Sequence, residues 1–166
     1  MARQNRAVSR DTFVRRYGGV YEHSPWVADR CFDAGQHLGP EQLAGLFAKC
    51  VDSADDQTKL ELIRAHPDLA GRAAIRGELT NESTAEQASA GIDQCSIEEY
   101  ERFVAFNAAY REKFDFPFVM AVKNSNRHEI LAAFVKRIGN DAQTEFRTAI
   151  EEIHKIARLR LEAIRR

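Results

Sequence analysis

His66 is the first side chain in this sequence whose type and position suggest chemistry. Pro67 follows it, and because proline resists helix at the preceding residue, one predicted helix must stop here. A histidine at a helix end can point its ring into a cleft more easily than one in mid-helix. Imidazole is also the side chain best suited to proton transfer near neutral pH. His66 is therefore a candidate for proton transfer, and a capping or surface histidine is the alternative.

Arg160 is the second such residue, because it falls in a row of apolar positions. Along the last predicted helix the apolar stripe steps by three or four residues through Phe146, Ile150, Ile153, Ala157, Arg160 and Ile164. A buried charge is costly unless a carboxylate, carbonyl groups or an anionic ligand compensates it. The alternative is that the long side chain of Arg160 reaches solvent near the chain end.

A third group lies in the run Ser83-Thr84-Ala85-Glu86-Gln87. Ser83 and Glu86 have the spacing of a capping box, which predicts a helix start at this point. The N–H groups at a helix N-terminus also attract anions. A carboxylate and an amide at Glu86 and Gln87 could grip a ring that carries both donors and acceptors. The two interpretations are compatible, since Ser83 can cap while Glu86 faces a substrate.

The apolar run from Lys113 to Lys123 is the most unusual segment. Its apolar residues lack helical periodicity, and Pro117 removes a backbone donor. We expect a buried, irregular or extended segment between helices, whose backbone N–H and C=O groups need partners. Neighbouring side chains or a ligand could supply them. Asn107 interrupts the apolar stripe of the preceding helix and is predicted to be a buried hydrogen-bonding strut rather than a direct ligand.

The elements that must position these residues are almost all helices. Eight are predicted, with these start or stop signals: Ser9 to Gly18-Gly19; Ser24-Pro25 onward; Gly39-Pro40 onward; Asp55 or Asp56 to Pro67; roughly residues 82 to 92; Ser96 with Glu99 onward; Ser125 to Gly139-Asn140; and Asp141 nearly to the end. No strand pattern, repeat or linker is visible. The sequence predicts an all-α, single-domain helical bundle of about eight helices spanning residues 1–166.

Composition excludes several classes of protein. The 166 residues are 44% hydrophobic and 30% charged with a net charge of -1, which is ordinary for a globular domain and gives no electrostatic footprint for nucleic acid. No apolar run is long enough to span a membrane. Three cysteines without a metal-like spacing are predicted to be small core residues in a reducing compartment. We therefore expect a cytoplasmic protein without a metal site.

Several motifs in order resemble the 2-oxo-4-hydroxy-4-carboxy-5-ureidoimidazoline (OHCU) decarboxylase family of urate breakdown. The matching residues run from Gly18 to Val27, from Ala65 to Gly71 and from Ser83 to Gln87, and then include Asn107, Tyr110, Lys113-Phe114, Phe116 to Val119, Ala121 to Lys123, Arg127, Ile130-Leu131, Ile156-Ala157 and Arg160-Leu161. The resemblance spans nearly the whole chain, which makes it far more specific than any one motif.

The resemblance implies a function and a site. Members are all-helical, usually homodimeric enzymes of purine catabolism that work without metal or organic cofactor and convert OHCU to (S)-allantoin, downstream of hydroxyisourate hydrolase. It implies His66 as proton donor, Glu86 as the carboxylate that orients substrate and His66, and Arg160 as the group that stabilises substrate charge. It implies these substrate contacts: Pro67, Ser83, Thr84, Ala85, Glu86, Gln87, Phe118, Val119, Met120, Ala121, Val122 and Arg160.

Two positions depart from the family pattern. Asp115 and Asn124 stand where many members have glycine. Aspartate and asparagine tolerate left-handed backbone better than most residues, so we expect the same backbone path.

Two other functions remain open at this stage. A related cofactor-free lyase or hydrolase acting on another ureido or hydantoin ring could use the same residues. A helical binding module could use the same motifs for capping and packing alone.

Overall fold

The computed structural model describes residues 8–71 and 78–165, and within these residues it is all-α. The eight α-helices are α1 Arg10–Tyr17, α2 Trp26–Gly35, α3 Pro40–Asp52, α4 Asp56–Arg64, α5 Asn81–Ser89, α6 Ile97–Phe114, α7 Arg127–Arg137 and α8 Ala142–Arg165. One turn of 3₁₀ helix, Ile92–Gln94, lies between α5 and α6. The predicted fold class and helix number are confirmed.

The described residues group into two compact units. One contains residues 8–62 and 154–165, and the other contains residues 63–71 and 78–153. The first unit thus holds α1 to α3, most of α4 and the C-terminal part of α8. The second holds the end of α4, α5 to α7 and the N-terminal part of α8. The prediction of a single domain stays a prediction.

Aromatic residues form the core of the first unit, where α1 packs on α2 and α2 packs on α3. Phe13 and Phe47 are buried, with ring centroids 6.4 Å apart. Tyr21, also buried, lies beside Phe47, and its hydroxyl is 2.8 Å from Nδ1 of His154. The other ring nitrogen of His154 is 2.9 Å from Oδ1 of Asp52.

The second unit is built around rings from α6, α7 and the apolar segment between them. Tyr110, Phe118 and Phe134 are almost fully buried, and the rings of Phe118 and Phe134 stack with centroids 3.7 Å apart. Residues 117–122 form no regular secondary structure, and Pro117, Phe118, Val119 and Val122 are buried. The predicted buried, irregular segment is therefore confirmed.

Both departures from the family pattern have left-handed backbone. Asp115 has a φ of 61° and Asn124 a φ of 65°. Asp115 is the residue at which α6 ends, and its N–H donates to the carbonyl of Arg111. The left-handed conformation that both residue types tolerate is therefore observed at both positions.

Local capping signals located most helix starts correctly, including Ser9, Gly39-Pro40 and the capping box of Ser96 with Glu99. The caps predicted for α2 and α7 were wrong. The Ser24 hydroxyl donates to the carbonyl of Glu22, so Pro25 occupies the cap position and α2 begins at Trp26. Asn126 caps α7, because its side chain accepts from the N–H of Glu129, whereas the Ser125 hydroxyl contacts the Glu129 carboxylate.

The apolar stripe predicted for α8 is buried at its centre, whereas its two end residues, Phe146 and Ile164, are half-buried. Ile150, Ile153, Ala157 and Arg160 are buried, as is Leu161 next to Arg160. None of the helices in the described parts of the chain is both long and apolar enough to cross a membrane. Cys31 is buried, Cys50 and Cys95 are half-buried, and all three thiols are free.

Candidate active site

The residues predicted to form the site are distributed over the two units. His66, Pro67, Ser83–Gln87 and Phe118–Val122 belong to the second unit, whereas Arg160 belongs to the first. The surroundings of each group are therefore described within its own unit.

His66 follows directly on the end of α4. That helix ends at Arg64, and the backbone N–H of His66 donates to the carbonyl of Ile63 at 3.1 Å. The residue is only 7% exposed, so it is not a surface histidine. Its ring is thus withdrawn from bulk water at a point where the chain has left the helix, which is a suitable place for a proton donor.

Gln87 connects the Ser83–Gln87 run to the segment after His66. Its side-chain Oε1 accepts from the N–H of Ala70 at 3.1 Å, and its Nε2 donates to the carbonyl of Asp68 at 3.4 Å. Gln87 is buried. The Ser83–Gln87 run and the segment after His66, which were predicted to share a site, are therefore in direct contact. The contact is made by the Gln87 amide, which the sequence analysis assigned to substrate binding.

Asn107 holds the same segment from α6. Its Nδ2 donates to the carbonyl of Leu69 at 2.8 Å, and the residue is buried. The predicted hydrogen-bonding strut is confirmed. Its Oδ1 is buried and accepts no hydrogen bond from the described residues.

Helix α5 begins earlier than predicted, so the capping role assigned to Ser83 was wrong. Thr80 is the cap, because its Oγ1 accepts from the N–H of Ser83 at 3.2 Å. A cap accepts from a residue two or three positions ahead, and Thr80 stands three positions before Ser83. Ser83 is buried, Glu86 is half-buried, and Thr84 and Ala85 are exposed.

Two long side chains hold the run Phe118–Val122. Arg137 donates from Nη1 to the carbonyl of Val119 at 2.7 Å, and Glu152 accepts from the N–H of Ala121 at 2.8 Å. Among the described residues, the N–H groups of Met120 and Val122 donate no hydrogen bond. This irregular backbone can therefore offer donors to a bound molecule.

Glu145 is a buried carboxylate that the sequence analysis missed. It is fully buried and accepts from the Tyr110 hydroxyl, from Nδ2 of Asn140 at 2.9 Å and from Nε of Arg137 at 3.0 Å. Burial, followed by the hydrogen bond to Glu145, raises the pKa of Tyr110 above its ordinary value. Because Arg137 also binds Val119, this network fixes the path of the Phe118–Val122 run.

Arg160 is buried in the first unit and faces a carboxylate that the sequence analysis did not single out. Its Nη2 is 2.8 Å from Oε2 of Glu22, and its Nη1 donates to the carbonyl of Gly19 at 3.1 Å. Glu22 is 1% exposed. A buried carboxylate and a carbonyl thus provide the compensation that a guanidinium in an apolar row requires. The only feature of the sequence that pointed to Glu22 as the partner of Arg160 was its place within the Gly18–Val27 motif.

No metal site is evident in the parts of the chain that the structure describes. Within them, no group of three or more His, Cys, Asp and Glu side chains is arranged to hold a metal ion. His66, Glu86 and Arg160 carry an imidazole, a carboxylate and a guanidinium, which are groups that can transfer protons, form hydrogen bonds and stabilise charge.

Comparison with known proteins gives a consistent result. A family model described as OHCU decarboxylase matches residues 6–162. A 2-oxo-4-hydroxy-4-carboxy-5-ureidoimidazoline decarboxylase of Haloferax volcanii is 46% identical over 151 residues, covering 91% of this chain and 88% of the relative. The enzyme of the same name from Amia calva is 37% identical over 162 residues, covering 98% and 93%.

Two solved structures are also similar. The crystal structure of an (S)-allantoin synthase has a TM-score of 0.73 and 33% identity, and the match covers 94% of this chain but 50% of that one. A crystal structure of OHCU decarboxylase in the presence of (S)-allantoin has a TM-score of 0.69 at 21% identity, covering 89% of this chain and 96% of that one. At 21% identity, this second structure shows similarity to the chain in fold alone.

Proposed function

Because the chain belongs to the OHCU decarboxylase family, we propose that it removes CO₂ from OHCU to give (S)-allantoin in urate degradation. We further propose His66, Glu86 and Arg160 as the residues that carry the reaction. The observation that most supports this site is the burial of His66 just after a helix end, in a segment that Gln87 joins to the Ser83–Gln87 run.

The substrate supplies its own electron sink. The carbon that loses CO₂ also bears a hydroxyl group and adjoins a C=N bond, which receives the electron pair when the C–C bond breaks. The protein must orient the carboxylate, stabilise charge on the ring and deliver a proton to one face. No organic cofactor is required by this chemistry.

His66 would act as the general acid. It would protonate the carbanion-like intermediate and thereby set the (S) configuration, while Glu86 would bind the hydroxyl or ureido N–H groups and keep His66 in the required protonation state. General acid–base assistance of this kind contributes about 10²–10⁴-fold to a rate. The burial of His66 supports this role, because it limits proton exchange with bulk water.

Arg160 would stabilise a ring carbonyl or an anionic edge of the substrate. Its planar guanidinium carries five N–H donors and suits such a group better than an ammonium does. The buried partners Glu22 and Gly19 support the proposal, since they fix the plane of the guanidinium before substrate binds.

Backbone N–H groups would hold the ring. Those of Met120 and Val122 donate no hydrogen bond within the described residues, and the buried Arg137–Glu145 pair fixes the run that carries them. Preorganised backbone donors need no reorganisation when charge develops on the ligand.

The test is the chirality of allantoin formed from urate by the upstream enzymes, followed by circular dichroism with and without this protein. OHCU also decays spontaneously, so formation of allantoin alone proves little. We expect faster formation and an excess of (S)-allantoin when the protein is present. An unchanged rate together with racemic allantoin would refute the proposed function.

Three further properties are part of the proposal by family resemblance alone: a homodimer, a cytoplasmic location and a functional link to hydroxyisourate hydrolase. Light scattering of the purified protein tests the first, since a dimer has twice the mass of the 18.8 kDa chain.

A further inference from the structure

Side chains, rather than regular secondary structure, hold the backbone just after His66. The carbonyl of Asp68 accepts from Gln87, the carbonyl of Leu69 accepts from Asn107, and the N–H of Ala70 donates to Gln87. Gln87 lies on α5 and Asn107 on α6, and both are buried. We call these two residues the amide clamp.

The backbone conformation of Ala70 explains why the segment after His66 requires stabilising contacts. Its φ is 53°, in the left-handed region that an alanine rarely adopts, and it is buried. A non-glycine residue stays in such a conformation only where the surrounding structure over-determines it. The hydrogen bond from the Ala70 N–H to Gln87 is the local contact that does so.

A salt bridge supports the segment from the same side. Nη2 of Arg111, one turn beyond Asn107 on α6, lies 2.9 Å from Oδ1 of Asp68. Both side chains are partly exposed, so this contact is weaker than the buried amide bonds. The segment is thus bound from two helices, with the buried bonds made by the clamp.

We propose that Gln87 and Asn107 are positioning residues, which act on the reaction by fixing the backbone that carries His66. The inference rests on the proposed function, in which His66 delivers the proton. A general acid must lie within hydrogen-bond reach of its target, and a misplacement of 1 Å can lower a rate by about 10²-fold. Gln87 is thereby assigned a role, holding the His66 segment, that needs no contact with the substrate ring.

The unpaired Oδ1 of Asn107 makes a clean test possible. Asn107→Leu removes the donor to Leu69, but it also removes a buried acceptor that has no partner among the described residues. The two effects on stability oppose each other, because an unsatisfied buried acceptor is itself costly. We therefore expect this variant to fold while its His66 segment loosens.

The experiment compares Asn107→Leu and Gln87→Met with a matched control, Lys113→Met. Lys113 lies on the same helix as Asn107 and also donates to backbone carbonyls, those of Ile138 and Asn140, which belong to a different loop. The measurements are kcat and KM for freshly generated OHCU, and hydrogen exchange of the Ala70 amide by NMR. In Lys113→Met, kcat, KM and the exchange rate of the Ala70 amide should all match those of the parent.

We expect both clamp variants to lower kcat roughly tenfold to a hundredfold with little change in KM, and to speed exchange at Ala70. Asn107→Leu, which leaves Gln87 intact, carries the test alone if Gln87→Met does not fold.

Three outcomes would overturn the proposal: an unchanged kcat in the clamp variants, a lowered kcat with Ala70 still protected, or a raised KM with kcat unchanged, which would indicate direct contact with substrate. Failure of the proposed function is a separate result. It would appear as no acceleration of OHCU decay by the unaltered protein, while exchange at Ala70 would still report on the clamp.

Discussion

Arg160 and Glu22 form a buried ion pair, with Nη2 of the arginine 2.8 Å from Oε2 of the glutamate. The two side chains are 6% and 1% exposed. A pair so removed from water is held by geometry and hydrogen bonds, because desolvation offsets much of its attraction. It therefore indicates a requirement for a guanidinium in a fixed orientation more than a need for stability.

Glu22→Gln tests that interpretation. The change removes the negative charge that lies 2.8 Å from the buried guanidinium, so we expect the free energy of unfolding to fall by about 3–5 kcal/mol. The double variant Glu22→Leu/Arg160→Met replaces both charges with apolar groups and should recover most of that loss. Urea unfolding of the parent, Glu22→Leu, Arg160→Met and the double variant gives the coupling free energy. A double variant as unstable as these two single variants would contradict the account.

Arg160→Lys separates charge from shape. Lysine retains the positive charge opposite Glu22 but lacks the planar fork, so the variant should be more stable than Glu22→Gln. We expect kcat/KM for OHCU to fall at least about tenfold, the loss of one charge-assisted hydrogen bond being about 1.5–3 kcal/mol. Unchanged kinetics in a folded Arg160→Lys protein would make Arg160 a structural residue.

The buried tyrosines predict how stability depends on pH. Burial is the main cause that raises the pKa of both Tyr21 and Tyr110 above the ordinary value near 10. Above pH 10 the unfolded chain loses these protons while the folded chain keeps them. The unfolded state then binds fewer protons, so the free energy of unfolding decreases as pH rises.

Each tyrosine should contribute a decrease of up to about 1.4 kcal/mol per pH unit above pH 10. Urea unfolding at pH 8, 10 and 11 measures it. The variants Tyr21→Phe and Tyr110→Phe should show a shallower decrease than the parent. Equal slopes in all three proteins would show that these hydroxyls do not stay protonated in the folded state.

Asp115 allows a test of the left-handed end of α6. Asp115→Ala should cost about 1 kcal/mol, because alanine is disfavoured at a φ of 61°. Asp115→Gly, which restores the residue of many family members, should be near-neutral or stabilising. Arg64→Ala is the control, since it removes the contacts of Arg64 with the Asp115 carboxylate and carbonyl while aspartate stays at this position. Thermal unfolding measures the stability of each variant. Equal stabilities of Asp115→Ala and Asp115→Gly would rule out this explanation.

Much of the fold could be predicted from the sequence because helix ends depend on local signals. Ser9, Gly39-Pro40 and the Ser96–Glu99 box each act within one turn. The caps predicted at Ser24, Ser83 and Ser125 were wrong because another polar group took the role or the serine bound elsewhere. Choosing between neighbouring caps depends on side-chain geometry that the sequence does not contain.

Less of the site could be predicted from the sequence, because its supporting contacts join distant parts of the chain. Arg160 was identified as an anomaly, but its partner Glu22 lies near the other end of the chain. Glu145 was missed because an acidic residue in the first turn of a helix is ordinary. Gln87 was recognised as unexplained by capping, and only the structure shows that it holds Asp68 and Ala70.

The most direct test of the central claim is the rate of OHCU decarboxylation by His66→Asn. Asparagine keeps the approximate shape and polarity of the ring edge but cannot act as a general acid near neutral pH. The account predicts a folded variant, with the parent's circular dichroism in the far ultraviolet, that loses about 10²–10⁴-fold of the acceleration over spontaneous decay. A folded His66→Asn protein with the parent rate and the same excess of (S)-allantoin would contradict it.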